Sequence, residues 1–263
     1  MPYRIDLRDP PADALDRLVD LGALDVESLS SGLAAIMPNG VAPDAVARAL
    51  DVRELSVSAA VGRDDGSVWI VSPREVRAGS VTLVPADRAA AHGVVRMIDG
   101  PAFGSGLHPT TALCLELLDE IVTECQPPVV LDVGTGSGVL ALAALAQGVP
   151  GATGLDTDAD AIRVARTNAE LNGVQTRLQL ILGQADALRG RWPVVLANVL
   201  PAPLTDMAPA LVQRVGHGGR LVLSGIPASI GPDSERVYQL LGMRQLRADV
   251  RSGWAALLLA PSW

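Results

Sequence analysis

The feature that most constrains the fold is a short apolar run followed at once by three closely spaced glycines, Val129–Gly138, with the sequence VVLDVGTGSG. The run Val129–Val133 predicts a strand buried on both faces, and Val139–Gln147 predicts a helix that begins directly after the glycines. Glycines at such a turn let the backbone approach a ligand, toward which the helix N–H groups point. The segment predicts a ligand-binding turn in an α/β domain, with a tight turn that binds nothing as the alternative.

Two acidic residues indicate which ligand this turn would bind. The spacing of Gly134, Gly136 and Gly138 is G-x-G-x-G, which differs from the G-x-G-x-x-G of dinucleotide-binding turns. Asp132 lies at the end of the predicted strand, where a carboxylate would repel a pyrophosphate and attract an ammonium group. Asp156 ends the next predicted strand, where an acidic side chain accepts hydrogen bonds from ribose hydroxyls. Together these residues predict S-adenosylmethionine as the cofactor.

Alternating strands and longer helices in the second part of the sequence predict a doubly wound parallel sheet of the α/β class. The predicted strands are Val129–Val133, Ala152–Leu155, Arg177–Leu182, Val194–Ala197, Arg220–Leu223, Arg244–Val250 and Ala255–Leu259. One of the helices predicted between them is Leu204–Arg214. Residues 1–62 have the pattern βαββαβ, which predicts a small α+β ferredoxin-like domain. The sequence therefore predicts this small domain, a connector at 63–100, and a cofactor-binding domain at 101–263.

Charge composition restricts the partners and the chemistry. The formal net charge is −8, and all 21 Lys or Arg positions are arginine, which excludes Schiff-base chemistry and a P-loop lysine. An acidic chain is a poor ligand for a phosphate backbone, and an aromatic content of 3% argues against stacking on single-stranded nucleic acid. The sequence thus predicts a basic protein partner, with no direct binding to nucleic acid or a membrane. It leaves the oligomeric state open.

The cysteines and the first residues indicate the compartment. Cys114 and Cys125 lie eleven residues apart without a neighbouring histidine cluster, a pattern typical of neither a disulfide framework nor a zinc site. The opening sequence MPYRIDLRDP lacks the apolar core of a signal peptide. We therefore expect a cytoplasmic protein with reduced thiols and no metal.

Two further segments hold candidate site residues. The loop Ala102–Thr111, AFGSGLHPTT, contains the only Phe of the chain, Phe103, and leads into a helix. Asn198 follows the fourth predicted strand, at the carboxyl end of the sheet, where ligands bind in open α/β folds. An ordinary helix cap and a turn asparagine are the respective alternatives.

Four segments in this order resemble PrmA-type methyltransferases: AFGSGLHPTTALCLELL, LDVGTGSGVLALAAL, GLDTDADAIRVARTNAELNGV and ANVLPAPL. The resemblance covers about residues 94–260 and implies a seven-stranded class I methyltransferase sheet. The arrangement of residues 1–62 also matches the substrate-recognition domain of the family. The family uses S-adenosylmethionine to methylate lysine and N-terminal amines of large-subunit ribosomal protein eleven, which implies a ribosomal protein as substrate.

The resemblance also implies roles for individual residues. Cofactor contacts fall on Thr111, Gly134, Asp156 and Asn198. Asn198 is the candidate to orient the attacking amine, and His108 is the candidate base, although its place before Pro109 favours a structural role. Because the connector lacks the Asp-Trp pair of the family, a small molecule or another protein remains an alternative acceptor. A binding protein without catalytic activity is the second alternative.

Overall fold

The computed structural model describes residues 1–29, 32–52, 54–63, 68–69, 75–98 and 108–263. The chain divides into two compact units, Met1–Pro73 and Arg74–Trp263. Each unit has its own cluster of buried apolar side chains. Among the described helices, none combines the length and the apolar character needed to cross a membrane.

The first unit is an antiparallel sheet covered by two helices. Its elements are β1 (Tyr3–Leu7), α1 (Ala14–Asp20), β2 (Asp25–Leu29), β3 (Gly32–Met37), α2 (Pro43–Leu50) and β4 (Ser56–Ala59). The strand order is β2-β3-β1-β4, which is the ferredoxin-like arrangement, and the element order is the βαββαβ predicted from the sequence. Ile5, Leu18 and Leu50 are fully buried between the sheet and the helices. Two short strands, β5 (Gly62–Arg63) and β6 (Val68–Trp69), pair antiparallel after this sheet.

The second unit begins with a three-stranded sheet of β7 (Val76–Ala78), β8 (Val81–Pro85) and β9 (Val94–Met97). Its inward side chains, among them Val81 and Leu83, belong to the same apolar cluster as the first helices of the large sheet. These strands are therefore part of the packing of the second unit.

A seven-stranded sheet forms the centre of the second unit. Its strands are β10 (Val129–Val133), β11 (Gly151–Asp156), β12 (Leu178–Leu182), β13 (Trp192–Asn198), β14 (Val215–Pro227), β15 (Met243–Arg251) and β16 (Trp254–Pro261). They lie in the order β12-β11-β10-β13-β14-β16-β15, and all neighbours are parallel except β16, which is antiparallel to β14 and β15. The predicted α/β sheet is confirmed.

Helices cover both faces of this sheet. They are α3 (Pro109–Cys125), α4 (Val139–Ala146), α5 (Ala159–Leu171), α6 (Pro201–Asp206), α7 (Ala208–Arg214) and α8 (Gly231–Leu240). Successive strand residues point to opposite faces, so Val130 packs with α3 and α4, whereas Leu131 packs with α6, α7 and α8.

The predicted single helix Leu204–Arg214 is wrong, because the structure has two helices that meet at Met207. Pro209 lies in the first turn of α7 and has no backbone N–H to donate to the preceding turn. The chain therefore ends one helix and begins another at this point.

Candidate active site

The carboxyl ends of three neighbouring strands, β11, β10 and β13, form one edge of the large sheet. From β10 the chain builds outward through β11 and β12 on one side, and it then crosses over to β13 on the other side of β10. This edge is therefore the topological switch point at which open α/β sheets bind ligands. The structure brings together here Asp156 at the end of β11, the glycine turn after β10, and Asn198 at the end of β13. These residues are the cofactor contacts predicted from the sequence.

The glycine turn adopts a backbone that favours glycine at all three positions. Gly134, Gly136 and Gly138 have φ values of 70°, 54° and 83°. The backbone N–H groups of Gly134 and Thr135 both donate to the carbonyl of Leu155, at 2.8 and 2.9 Å. These bonds tie the turn to the end of β11, and helix α4 begins directly after Gly138.

The Asp156 side chain is hydrogen-bonded to the glycine turn. Its Oδ2 accepts a hydrogen bond from the Gly136 N–H at 2.9 Å, and its Oδ1 accepts one from the Asp158 N–H at 3.0 Å. A carboxylate oxygen can accept more than one hydrogen bond, so both oxygens keep capacity for a ligand hydroxyl. Asp158 caps α5 by accepting from the Asp160 N–H, as its sequence position indicates.

Asp132 lies beneath the turn and is 1% exposed. Its Oδ2 accepts hydrogen bonds from the Thr135 hydroxyl at 2.8 Å and from the Ala141 N–H at 3.2 Å. Burial raises the pKa of this carboxyl from 3.8 to about 6. The two hydrogen bonds lower that pKa, and the negative charge of Asp156 adds to the increase. The carboxyl is therefore ionised at neutral pH, and burial of its charge lowers the stability of the folded protein.

This raised pKa predicts a dependence of stability on pH. Between pH 3.8 and about 6 the folded protein binds more protons at Asp132 than the unfolded chain does, so this group's contribution to stability falls as pH rises through that window. Replacement of Asp132 by Asn should remove about 2 kcal/mol of the stability gained between pH 7 and pH 4.5. Urea denaturation of both proteins at the two pH values measures this difference. Identical pH dependence in the two proteins would contradict the prediction.

His108 is the N-cap residue of α3. The residue is 4% exposed, its Nδ1 accepts from the Thr110 N–H at 3.3 Å, and the same nitrogen lies 2.7 Å from the Thr110 hydroxyl. Its ring meets the ring of Trp254 edge-on, with centroids 4.8 Å apart. These contacts describe a buried helix cap. Residues 102–107 of the predicted loop, Phe103 included, lie outside the described residues.

Among the described residues of the site, Asn198 has a buried side-chain oxygen that accepts no hydrogen bond. It is 8% exposed, and its Nδ2 donates to the buried Thr111 hydroxyl over a long 3.4 Å. Its Oδ1 is buried and accepts no hydrogen bond from the part of the chain that the structure describes. A buried oxygen left in this state costs about 1–3 kcal/mol, so it marks a place where a ligand donor would be stabilised.

Asn168, which was not predicted from the sequence, links the glycine turn to the preceding sheet. It is fully buried, and its Nδ2 donates to the Ser137 carbonyl while its Oδ1 accepts from the Ile98 N–H, both at 2.9 Å. The available signal was a polar residue on the otherwise apolar face of α5, four residues after the buried Val164.

Comparison with known proteins identifies similar chains. Residues 68–260 match the family model of ribosomal protein L11 methyltransferase (PrmA). A ribosomal protein L11 methyltransferase from Sorangium cellulosum (strain So ce56) is 37% identical over 246 residues, which are 84% of this chain and 77% of that protein. One from Stenotrophomonas maltophilia (strain R551-3) is 48% identical over 146 residues, 55% of this chain and 47% of that protein.

The match to several other relatives of the same name covers only 43–45% of their length, so this chain spans about half of those proteins in the alignment. Among solved structures, the ribosomal protein L11 methylase from Lactobacillus delbrueckii subsp. bulgaricus superimposes with a TM-score of 0.66 at 25% identity. That match covers 72% of this chain and all of the other.

Proposed function

Since this chain belongs to the PrmA family of ribosomal protein L11 methyltransferases, we propose that it transfers methyl groups from S-adenosylmethionine to amines of a large-subunit ribosomal protein in the cytoplasm. The acceptors are lysine side chains or the N-terminus. The observation that carries the proposal is the buried Asn198 Oδ1, which lacks a partner among the described residues next to a glycine turn and a fixed carboxylate.

The described residues fit this cofactor. The turn at Gly134, Gly136 and Gly138 gives close backbone approach, and Asp156 has acceptor capacity for the ribose hydroxyls. Asp132 places negative charge beneath the turn, which suits a cationic ligand and disfavours a pyrophosphate. When bound, S-adenosylmethionine supplies an activated methyl group on a sulfonium.

The chain's task is then to align a neutral amine. Lysine in water has a pKa of about 10.4, so the acceptor must lose a proton before it attacks. We propose that Asn198 Oδ1 accepts a hydrogen bond from the amine and directs its lone pair toward the methyl carbon. The bound cofactor would supply the methyl carbon, its sulfur would keep the electron pair of the broken carbon–sulfur bond as a thioether, and the amine proton would leave to solvent. Thr111 fixes the Asn198 amide through Nδ2, and His108 supports Thr111 by capping the same helix.

Removal of the Asn198 amide is expected to lower kcat by roughly 10- to 100-fold, the scale of a lost orienting contact. Affinity for S-adenosylmethionine in the Asn198→Ala variant should change much less. The measurement is transfer of labelled methyl groups to ribosomal proteins from the same source, with cofactor affinity from calorimetry. His108→Gln removes the imidazole but keeps a side chain with an oxygen that can cap α3, so it tests whether His108 acts as the base. Because we assign His108 a structural role, we expect this variant to keep most of the activity.

Two results would overturn this proposal. If Asn198→Ala transfers methyl groups at the wild-type rate, the amide does not orient the acceptor. If label enters only small molecules, the acceptor is not a protein.

A further inference from the structure

Val199 follows Asn198 directly and lies between two glycines, one in the turn after β10 and one in β14. Strand β13 is flanked by β10 and β14, so the end of β13 has the glycine turn on one side and β14 on the other. Gly134 belongs to the first neighbour and Gly225 to the second. Both have the positive φ that favours glycine, 70° and 83°.

The two glycines contact different parts of Val199. A Cβ added at Gly134 would overlap the Val199 side chain at Cγ1. A Cβ added at Gly225 would overlap the Val199 carbonyl oxygen and lie 2.7 Å from its carbonyl carbon and 3.1 Å from its nitrogen. A side chain can rotate away from such a contact. The Val199 carbonyl belongs to the peptide that joins Val199 to Leu200, and the Val199 nitrogen belongs to the peptide that joins Asn198 to Val199. A shift of the Val199 backbone would therefore also move Asn198.

The backbone around Gly225 is fixed by its own contacts. The pairing of β14 with β16 is irregular between Leu223 and Ile226, which is a bulge that contains Gly225. Next to it, Ser224 is fully buried, pairs with Asn198 across β13 and β14, and donates its hydroxyl to the Ala255 carbonyl at 2.9 Å. These contacts hold the backbone next to Gly225 in place, and the Val199 backbone lies against it.

We propose that Gly225 is a positioning residue for methyl transfer. Because Gly225 has no side chain, the Val199 backbone can lie against β14, and this contact determines the position of the neighbouring Asn198 amide. Gly134 supports Val199 from the opposite side. The inference rests on the proposed function, since it concerns the amide that would orient the acceptor amine. It also predicts that the position of the glycine turn and the position of Asn198 depend on each other through Val199.

The test compares Gly225→Ala with Gly253→Ala. Gly253 has a φ of 79°, close to that of Gly225, but a Cβ there would meet no atom within 4 Å. Both variants place an alanine in the left-handed backbone region and should lose similar stability from it, but only Gly225→Ala displaces Val199. We expect kcat to fall at least tenfold in Gly225→Ala and less than twofold in Gly253→Ala, with cofactor affinity of both within about threefold of wild type. Equal kcat in the two variants would overturn the proposal.

A second readout does not depend on activity. The chain contains four asparagines, so the Asn198 side-chain amide can be identified in a ¹⁵N-correlated NMR spectrum by its loss in Asn198→Asp. We expect this signal to shift in Gly225→Ala and to stay in place in Gly253→Ala. If the wild-type protein methylates no amine, the proposed function fails, and this spectrum still decides whether Gly225 positions Asn198.

If Gly225→Ala does not fold, Val199→Ala tests the second contact that the proposal requires, the support that Gly134 gives Val199 from the opposite side. This variant removes the side chain that meets Gly134 and keeps the backbone, so it should fold, shift the Asn198 amide signal and lower kcat. An unchanged signal together with an unchanged kcat would overturn the proposal.

Discussion

Removal of the Asp156 carboxylate is expected to weaken S-adenosylmethionine binding by roughly 10- to 100-fold. The side chain has two functions in the structure: it accepts from the Gly136 N–H and so holds the glycine turn, and it keeps acceptor capacity for the ribose hydroxyls. In the complex, the Asp156→Ala variant leaves the ligand hydroxyls without their acceptor, and such a loss costs about 1–3 kcal/mol. The Gly136 N–H loses its acceptor with or without ligand, so that loss weakens the turn itself. Isothermal calorimetry with S-adenosylmethionine measures the effect directly.

Asp158→Ala is the matched control for this experiment. Asp158 is an acidic residue two positions away that caps α5 and is exposed. Its loss should cost about 1 kcal/mol of stability through the missing cap and leave cofactor affinity almost unchanged. Equal affinities in Asp156→Ala and wild type would show that the ligand binds elsewhere.

A fragment that begins at Arg74 is expected to fold and bind S-adenosylmethionine but to lose methylation of the protein substrate. Every residue proposed to contact the cofactor lies in the second unit, whose apolar clusters share no residue with those of the first. The first 73 residues contain 12 acidic and 6 basic side chains, whereas the remaining residues contain 17 acidic and 15 basic ones. The acidic excess is thus concentrated in the first unit, where it would attract a basic substrate.

The measurements are circular dichroism and calorimetry for the fragment, and labelled-methyl transfer to the protein substrate for fragment and full chain. Because attraction between exposed charges is screened over about 8 Å at physiological ionic strength, activity of the full chain should fall as salt is added. A fragment that methylates the protein as fast as the full chain would refute a recognition role for the first unit.

The parts of the site that depend on local sequence could be predicted. The turn after Val133 needs positive φ at three positions, and three glycines stand there. Asp156 and Asn198 end strands whose apolar runs are visible in the sequence, and the parallel sheet places such ends at one edge.

The contacts between distant segments could not be predicted in this way. Asn168 meets Ser137 and Ile98 only because α5 packs on both the turn and β9. The approach of Gly225 to Val199 depends on a bulge in β14, and no local pattern around Gly225 indicates where its neighbour lies. The break at Met207 was missed because the apolar spacing of α6 and α7 continues through it, and only the missing N–H of Pro209 interrupts the helix.

The strand order has a consequence for synthesis of the protein. Strand β16 follows β15 along the chain but lies between β14 and β15 in the sheet. A growing chain on the ribosome can pair β10 to β14 as they emerge, yet β14 keeps an open edge until the β15–β16 hairpin has been made. Open edges are prone to pair with other chains. This sheet is therefore completed only after β16 has been made, and the bulge at Gly225, which pairs with β16 on either side, forms only then.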